Sequence, residues 1–162
     1  MPKNPLWNEL GWRGPHPGYL GGLVAEQPVM IREPNLVAYI SEISAYPDGF
    51  TFTAYLQQAT EDGPVQSNEP MVEVRFSDGR GWAEEPDKRH DFLLARYSES
   101  TRGPGGVSWR KQYWVPAMPP GGPVAFAMSI GPINGSASLD GTALRDAASK
   151  AIDLWEAPPE HP

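Results

Sequence analysis

Residues 49–57, GFTFTAYLQ, decide the fold class because apolar and polar side chains alternate along them. A period of two is typical of a β-strand that buries one face. The buried face is expected to carry Phe50, Phe52, Ala54 and Leu56. The opposite face then carries Tyr55 and Gln57 with the threonines.

The residues that lead into this strand, AYPDGF at 45–50, predict a turn. Pro47 is preset for the first corner, and Asp48-Gly49 tolerates positive φ. Residues 36–45 are therefore expected to be the partner strand of a hairpin. Their apolar side chains fall on both parities, so this strand is either covered on both faces or bulged near Ser41.

A second hairpin is predicted by MVEVRFSDGRGW at 71–82. Val72, Val74 and Phe76 alternate, and Asp78-Gly79 suits a two-residue type I′ turn into a short strand that holds Trp82. Residues 84–107 look like a long polar loop. Two further strands are expected at about 108–115 and 123–130.

Between those last two strands the chain has a Pro-x-x-Pro spacing from Pro116 to Pro119, followed by Pro120 and Pro123. The spacing would suit a polyproline ligand, but both of its ends are tethered by strands. Prolines are tolerated where strands begin and end. We therefore interpret this segment as a structural connection.

The C-terminal residues 141–156 predict an amphipathic helix, with Asp140 as its N-cap. Its apolar stripe would include Leu144, Ile152 and Trp155. We expect the helix either to pack Trp155 against the sheet or to cover a sheet edge. Residues 157–162 are expected to be a tail.

The N-terminal residues 1–22 have no helical or strand period, and they carry Trp7, Trp12 and Tyr19. Large aromatic side chains need burial, so we expect this arm to dock on its own domain or on a neighbouring chain, and to carry association. Trp114 shares a strand face with Arg110. It would either pack inside the protein, stack on a sugar ring or anchor a protein interface. The predicted partner-binding residues are Trp7, Trp12, Tyr19 and Trp114.

These patterns predict an antiparallel, immunoglobulin-like β-sandwich of about seven strands with one C-terminal α-helix and an N-terminal extended arm. The single domain would span residues 23–156. At 162 residues the chain is long enough to bury its own core without a metal or a disulfide.

Composition excludes several function classes. The chain has no cysteine, which removes disulfides, thiol catalysis and Cys-ligated zinc. Its formal charge of −7 is concentrated in residues 36–100, which disfavours nucleic acid and anionic membranes as partners. The N-terminal sequence lacks the apolar core of a signal peptide, so a cytoplasmic location is expected.

Catalytic motifs are sparse. The histidines are His16, His90 and His161, and no Gly-x-Ser-x-Gly elbow is present. The segment EEPDKRHD at 84–91 could offer oxygen ligands to a cation, but Lys88 and Arg89 weaken such a site, and a solvated loop explains it. We expect no catalytic residue, cofactor or metal.

Three motifs in this order carry a resemblance: AYPDGFTFT, VEVRFSDGR and YWVPAMPPGGPVAF, followed by a terminal helix ending in DLWE. Across residues 23–156 the chain resembles a group of small uncharacterised actinobacterial proteins. It departs from their pattern at Met118, where leucine is usual, and at Ile130, where tryptophan is expected. The resemblance implies a β-sandwich-like fold and brings no known activity.

We therefore expect a non-enzymatic interaction or structural module whose partner is another protein or a second copy of this chain. The alternative is a sandwich that binds a small ligand or a carbohydrate, and an enzyme is the third hypothesis. Stacking residues around a concave face would favour the second, and a buried carboxylate or histidine the third.

Overall fold

The computed structural model describes residues 14–66 and 68–155. In this part of the chain there are thirteen strands and one α-helix, α1. Their bounds are β1 Tyr19–Leu20, β2 Gly22–Val24, β3 Val29–Glu33, β4 Leu36–Tyr46, β5 Gly49–Gln58, β6 Met71–Arg75, β7 Gly81–Ala83, β8 Asp91–Phe92, β9 Leu94–Gly103, β10 Gly106–Val115, β11 Pro123–Ile130, β12 Ile133–Asp140, α1 Gly141–Ser149 and β13 Ile152–Asp153.

Two larger sheets form the sandwich. Sheet I has the order β2-β4-β5-β10-β9, with β3 also paired to β4, and sheet II has the order β12-β11-β6-β7-β8. Their strand pairs are antiparallel except β7 with β8. β1 and β13 form a separate two-stranded sheet. The prediction of a mainly β sandwich with one C-terminal helix is confirmed, although the described residues form thirteen strands where about seven were expected.

The core between the sheets is aromatic. Phe52 lies at its centre, with its ring 5.0 Å from that of Phe126 and 5.2 Å from that of Tyr113. Phe50 packs on Phe76 and Phe126. The predicted inward face of β5 is confirmed, because its four alternating apolar side chains are all fully or almost fully buried.

Of the two alternatives for strand β4, the structure shows the bulge, because its register with β5 shifts between Ser41 and Ser44. The buried parity changes there: Leu36, Ala38 and Ile40 are buried before the bulge, and Ile43 and Ala45 after it. At this bulge Glu42 has a φ of 52°, the left-handed region that non-glycine residues rarely adopt. The bulge separates the part of β4 that pairs with β3 from the part that pairs with β2.

Two connections differ from the sequence-based prediction. The turn at Asp78-Gly79 is a three-residue turn, because Gly79 N–H donates to the Phe76 carbonyl and Phe76 N–H donates to the Arg80 carbonyl. Only Gly79 has positive φ, so the prediction of a type I′ turn was wrong. Residues 84–107 are not one long loop, since they contain β8 and β9. The proline-rich connection is confirmed between the end of β10 and the start of β11.

The helix begins as predicted and ends early. The Asp140 side chain accepts a hydrogen bond from Thr142 N–H, and Leu144 is fully buried. α1 stops at Ser149, however, so the prediction that it extends to residue 156 was wrong. The chain turns at Lys150 because residues 152–153 pair with β1. None of the described residues forms a helix with the length and apolar character of a membrane span.

Candidate functional site

The small sheet of β1 and β13 presents an apolar surface to solvent. Leu20 lies directly opposite Ile152, so their side chains share one face. Leu154 and Trp155 follow β13 in a turn. These apolar side chains are largely exposed to solvent: the exposed fraction is 56% for Leu20, 55% for Ile152, 59% for Leu154 and 82% for Trp155. We call these four residues the apolar face.

Local contacts hold the apolar face in place. Leu154 N–H donates to the Gly18 carbonyl, and Trp155 N–H donates to Oδ1 of Asp153 at 2.9 Å. The Trp155 indole lies so close to Gly18 that a Cβ there would be 2.3 Å from indole Cδ1. On the other side of the turn, Nδ1 of His16 accepts a hydrogen bond from Gly18 N–H. Only glycine at position 18 allows this approach.

The apolar face continues toward the helix. Leu23 in β2 is 82% exposed, and it borders an open hollow of about 360 Å³ with Ala143, Ala147 and Lys150 of α1 and its end. Monomeric proteins rarely expose several large apolar side chains together, and such patches commonly mark interaction sites. The helix does not pack Trp155 against the sheet, because it ends before this residue. α1 instead contacts β4 and the edge strand β2 of sheet I, which fits the alternative expectation that the helix covers a sheet edge.

Of the four predicted partner-binding residues, the structure describes Tyr19 and Trp114. Trp7 and Trp12 lie outside the described residues. Tyr19 is in β1, half-buried, with its ring edge-on to His16. Trp114 is 5% exposed and packs against Tyr46, which fits the packing alternative and leaves little of its ring to contact a partner. A partner-binding role for these four residues stays a prediction.

A second candidate surface lies on the outer face of sheet I. We call it the tyrosine face, and it consists of Tyr39, Glu42, Tyr55, Tyr97 and Arg110. The rings of Tyr39 and Tyr55 are stacked, with centres 5.0 Å apart. The Tyr55 hydroxyl donates to Glu42 Oε1, and burial together with this carboxylate raises the pKa of Tyr55. The β4 bulge thus aims Glu42 at its neighbours on β5.

The polar half of the tyrosine face is an ion-pair cluster across β9 and β10. Arg110 binds Oε2 of Glu99, which also accepts a hydrogen bond from the Tyr97 hydroxyl at 2.7 Å. These donors hold the pKa of Glu99 below its ordinary value. Next to Tyr39, an open hollow of about 610 Å³ is bordered by Gln57 and Ser108. The arrangement offers stacking and hydrogen bonding on one surface.

The interior holds one partly buried ionic network, which sequence reasoning missed. Glu84 follows β7 and turns inward; its Oε1 accepts from Val72 N–H and from the Tyr113 hydroxyl. Its Oε2 accepts from Lys111 Nζ at 2.7 Å, and both charged side chains are less than 15% exposed. Both oxygens are therefore engaged, so the network joins the two sheets and leaves no free base.

His90 is likewise held by its neighbours. Nδ1 lies 2.9 Å from Oδ1 of Asp87, and Nε2 lies 3.0 Å from Nη2 of Arg75. Arginine can only donate, so Nε2 accepts and Nδ1–H donates to Asp87. This contact is the main reason that the pKa of Asp87 is lowered. The interpretation of residues 84–91 as a solvated loop was wrong for Glu84 and His90, which are turned inward.

In the described residues, no three carboxylate or histidine side chains come together as a metal site. The chain matches no protein-family model, no curated protein and no solved structure at a significant level. The candidate site therefore depends on the geometry alone. The sequence contained one usable signal for the apolar face, the apolar residues of IDLW at 152–155. The helical interpretation had assigned two of them, Ile152 and Trp155, to a buried stripe.

Proposed function

We propose that this protein is a non-enzymatic binding module and that its partner, a protein, docks on the apolar face. The observation that carries the proposal is the exposure of four large apolar side chains on the small sheet and in the turn that follows it: Leu20, Ile152, Leu154 and Trp155. Hydrogen bonds fix the backbone that carries these side chains, so little additional backbone has to be ordered when a partner covers them.

The chemistry of this face favours a protein over other macromolecules. Tryptophan is enriched among the residues that dominate binding energy in protein interfaces, and truncating such an anchor costs about 2 kcal/mol or more. The net charge of −7 opposes nucleic acid. The hollow beside Leu23 gives the face a concave border that a partner side chain can fill. A second copy of this chain would satisfy the same requirements.

The test compares three full-length proteins: wild type, the double variant Leu154→Ser with Trp155→Ser, and the control Phe92→Ser. Phe92 is 52% exposed on β8, so the control also removes an exposed apolar side chain but at another surface. Each protein is examined by sedimentation velocity and used to capture partners from host extract. We expect a self-complex or a specific captured protein with wild type and Phe92→Ser, and its loss with the double variant.

Either of two results would remove the proposal: no complex in any of the three proteins, or a complex that the double variant retains. A cytoplasmic location, expected from the sequence, stays a prediction, and so does the likeness to actinobacterial proteins.

A second candidate function is the binding of a small ligand or carbohydrate at the tyrosine face. It is favoured by the stacked Tyr39 and Tyr55 beside an open hollow, since aromatic rings with nearby polar groups can hold a sugar. A glycan array probed with wild type and with Tyr39→Ala tests this alternative. Binding that is lost in Tyr39→Ala would support it, and no binding to any glycan would argue against a carbohydrate.

A further inference from the structure

The strand β9 is a long exposed edge. It has ten residues, and eight consecutive ones, from Ala95 to Arg102, are solvent-exposed. Among the described residues it pairs only with β10, so its outer row of backbone N–H and C=O groups faces away from sheet I. Exposed edges of this length invite pairing with another extended segment, and native proteins usually cover or blunt them.

A hollow lies against the face of β9 that carries Ser98 and Ser100. The open hollow has a volume of about 380 Å³, and it is lined by Ser98 and Ser100 of β9 and by Trp109 and Val107 of β10. Both of these β10 side chains are nearly buried, at 6% and 5% exposure. An apolar side chain that enters this hollow from the sheet edge would therefore contact Val107 and Trp109, and the polar Ser98 and Ser100 would border it.

The described chain begins next to this edge. Gly14 lies against the Arg96 side chain, because a Cβ on Gly14 would be 3.3 Å from Nε of Arg96. Arg96 is near the start of β9. The thirteen residues that precede Gly14 are therefore joined to the described chain beside Arg96 of β9.

The preceding segment also has a suitable length and composition. Thirteen residues can span about 43 Å when extended, whereas a ten-residue strand is about 34 Å long. MPKNPLWNELGWR contains two tryptophans and two prolines. Prolines lack the N–H donor, so a segment containing them is tolerated at the edge of a sheet and prevents further strands from adding.

We propose that residues 1–13 dock along the free edge of β9 in the same chain, with Trp7 or Trp12 seated in the hollow under Ser98 and Ser100. Docking within one chain is favoured over exchange between chains because the segment is tethered at Gly14, which gives it a high effective concentration at β9. This inference goes beyond the proposed function and leaves the apolar face free for a partner.

The test uses a nitroxide label on the full-length protein. The chain has no cysteine, so Ser108→Cys can be labelled at one position, and Ser129→Cys on the outer side of β11 is a matched control. Ser108 is exposed on β10 opposite Thr101 of β9 and does not line the hollow, so the label leaves the proposed seat open. In ¹⁵N-labelled Ser108→Cys protein we expect loss of the Trp7 and Trp12 indole N–H signals. In the Ser129→Cys protein we expect these signals to remain.

A mixed sample separates the two possible origins of such a contact. It contains spin-labelled protein without ¹⁵N and ¹⁵N protein without the spin label. Signal loss in this mixture would show that the segment docks on a second copy and would overturn the proposal. Retention of both signals in the labelled Ser108→Cys protein would overturn it as well.

Hydrogen exchange gives a second measurement. The double substitution Trp7→Ser with Trp12→Ser should speed the exchange of the β9 amides that do not bond β10 by about tenfold. The amides of β5, in the centre of sheet I, should not change. Unchanged exchange in β9 would contradict the proposal, because the anchors of the segment would then have no effect on the edge.

Discussion

The Tyr113 hydroxyl in sheet I donates a hydrogen bond to Oε1 of Glu84, in the chain that leaves β7 of sheet II. The ring of Tyr113 is fully buried, and Lys111 neutralises the carboxylate from the same strand as Tyr113. The two sheets are thus joined by a charge-assisted contact as well as by apolar packing.

Tyr113→Phe should lower the free energy of unfolding by about 1–2 kcal/mol, because Glu84 loses one of its donors while the ring packing remains. Glu84→Ala should cost more, about 3 kcal/mol, since it leaves Lys111 without its closest counter-ion and Tyr113 with an unpaired hydroxyl. Urea denaturation measures both values. Equal stability of the two variants and the wild type would mean that the network contributes nothing to the fold.

The same contact predicts a response to alkaline pH. Burial, followed by the charge of Glu84 and its hydrogen bond, raises the pKa of Tyr113 above its ordinary value of 10.0. Above that pH the unfolded chain loses the tyrosine proton, whereas the folded chain keeps it. The contribution of Tyr113 to the free energy of unfolding is therefore fully present below the unfolded pKa and is lost as pH rises beyond it. Tyr113→Phe should show a shallower fall than wild type in denaturation between pH 9 and about 11. Parallel curves would contradict this.

The hairpin of β4 and β5 predicts a strong effect at Gly49. A Cβ at this position would lie 2.2 Å from the Val115 carbonyl oxygen and 2.7 Å from the Trp114 ring. Gly49→Ala should therefore separate β5 from β10 locally and cost about 2 kcal/mol or more. Gly105→Ala is the matched control, because a Cβ there meets no atom within 4 Å. Similar melting temperatures for the two variants would refute the close approach.

Two variants on the tyrosine face should shift the pKa of Tyr55 in opposite directions. The hydrogen bond and charge of Glu42 contribute to raising it, after burial, whereas Arg110 lowers it. Glu42→Gln should bring the Tyr55 pKa down toward its ordinary value, and Arg110→Ala should raise it further. NMR titration of the Tyr55 ring carbon follows both. Shifts of the same sign would show that the cluster is not formed in solution.

Much of the fold could be predicted from the sequence where one face of a strand is buried. The alternation in β5 predicted a strand of the hairpin, because burial imposes a period of two. The mixed parity of β4 indicated a bulge near Ser41 as one of two alternatives. β9 could not be predicted in this way. Its side chains from Ala95 to Arg102 are exposed on both faces, so burial imposes no pattern, and only pairing with β10 makes it a strand.

The candidate site was harder to predict because it depends on long-range pairing. Ile152 and Trp155 continue the helical spacing of Leu144 and Ala148, and the sequence favoured a longer helix. Pairing of Ile152 with Leu20, 132 positions away, ends the helix and exposes these residues. Glu84 was likewise assigned to solvent, since nothing local shows that Tyr113 and Lys111 lie beside it.

The account's central claim is that a protein partner covers the apolar face. The most direct measurement is amide hydrogen exchange of this protein alone and in the complex isolated with it. We predict slower exchange at residues 19–20 and 152–155, with no change at Tyr39 and Tyr55. Protection confined to the tyrosine face or to sheet II, with residues 152–155 exchanging as fast as in the free protein, would contradict the claim.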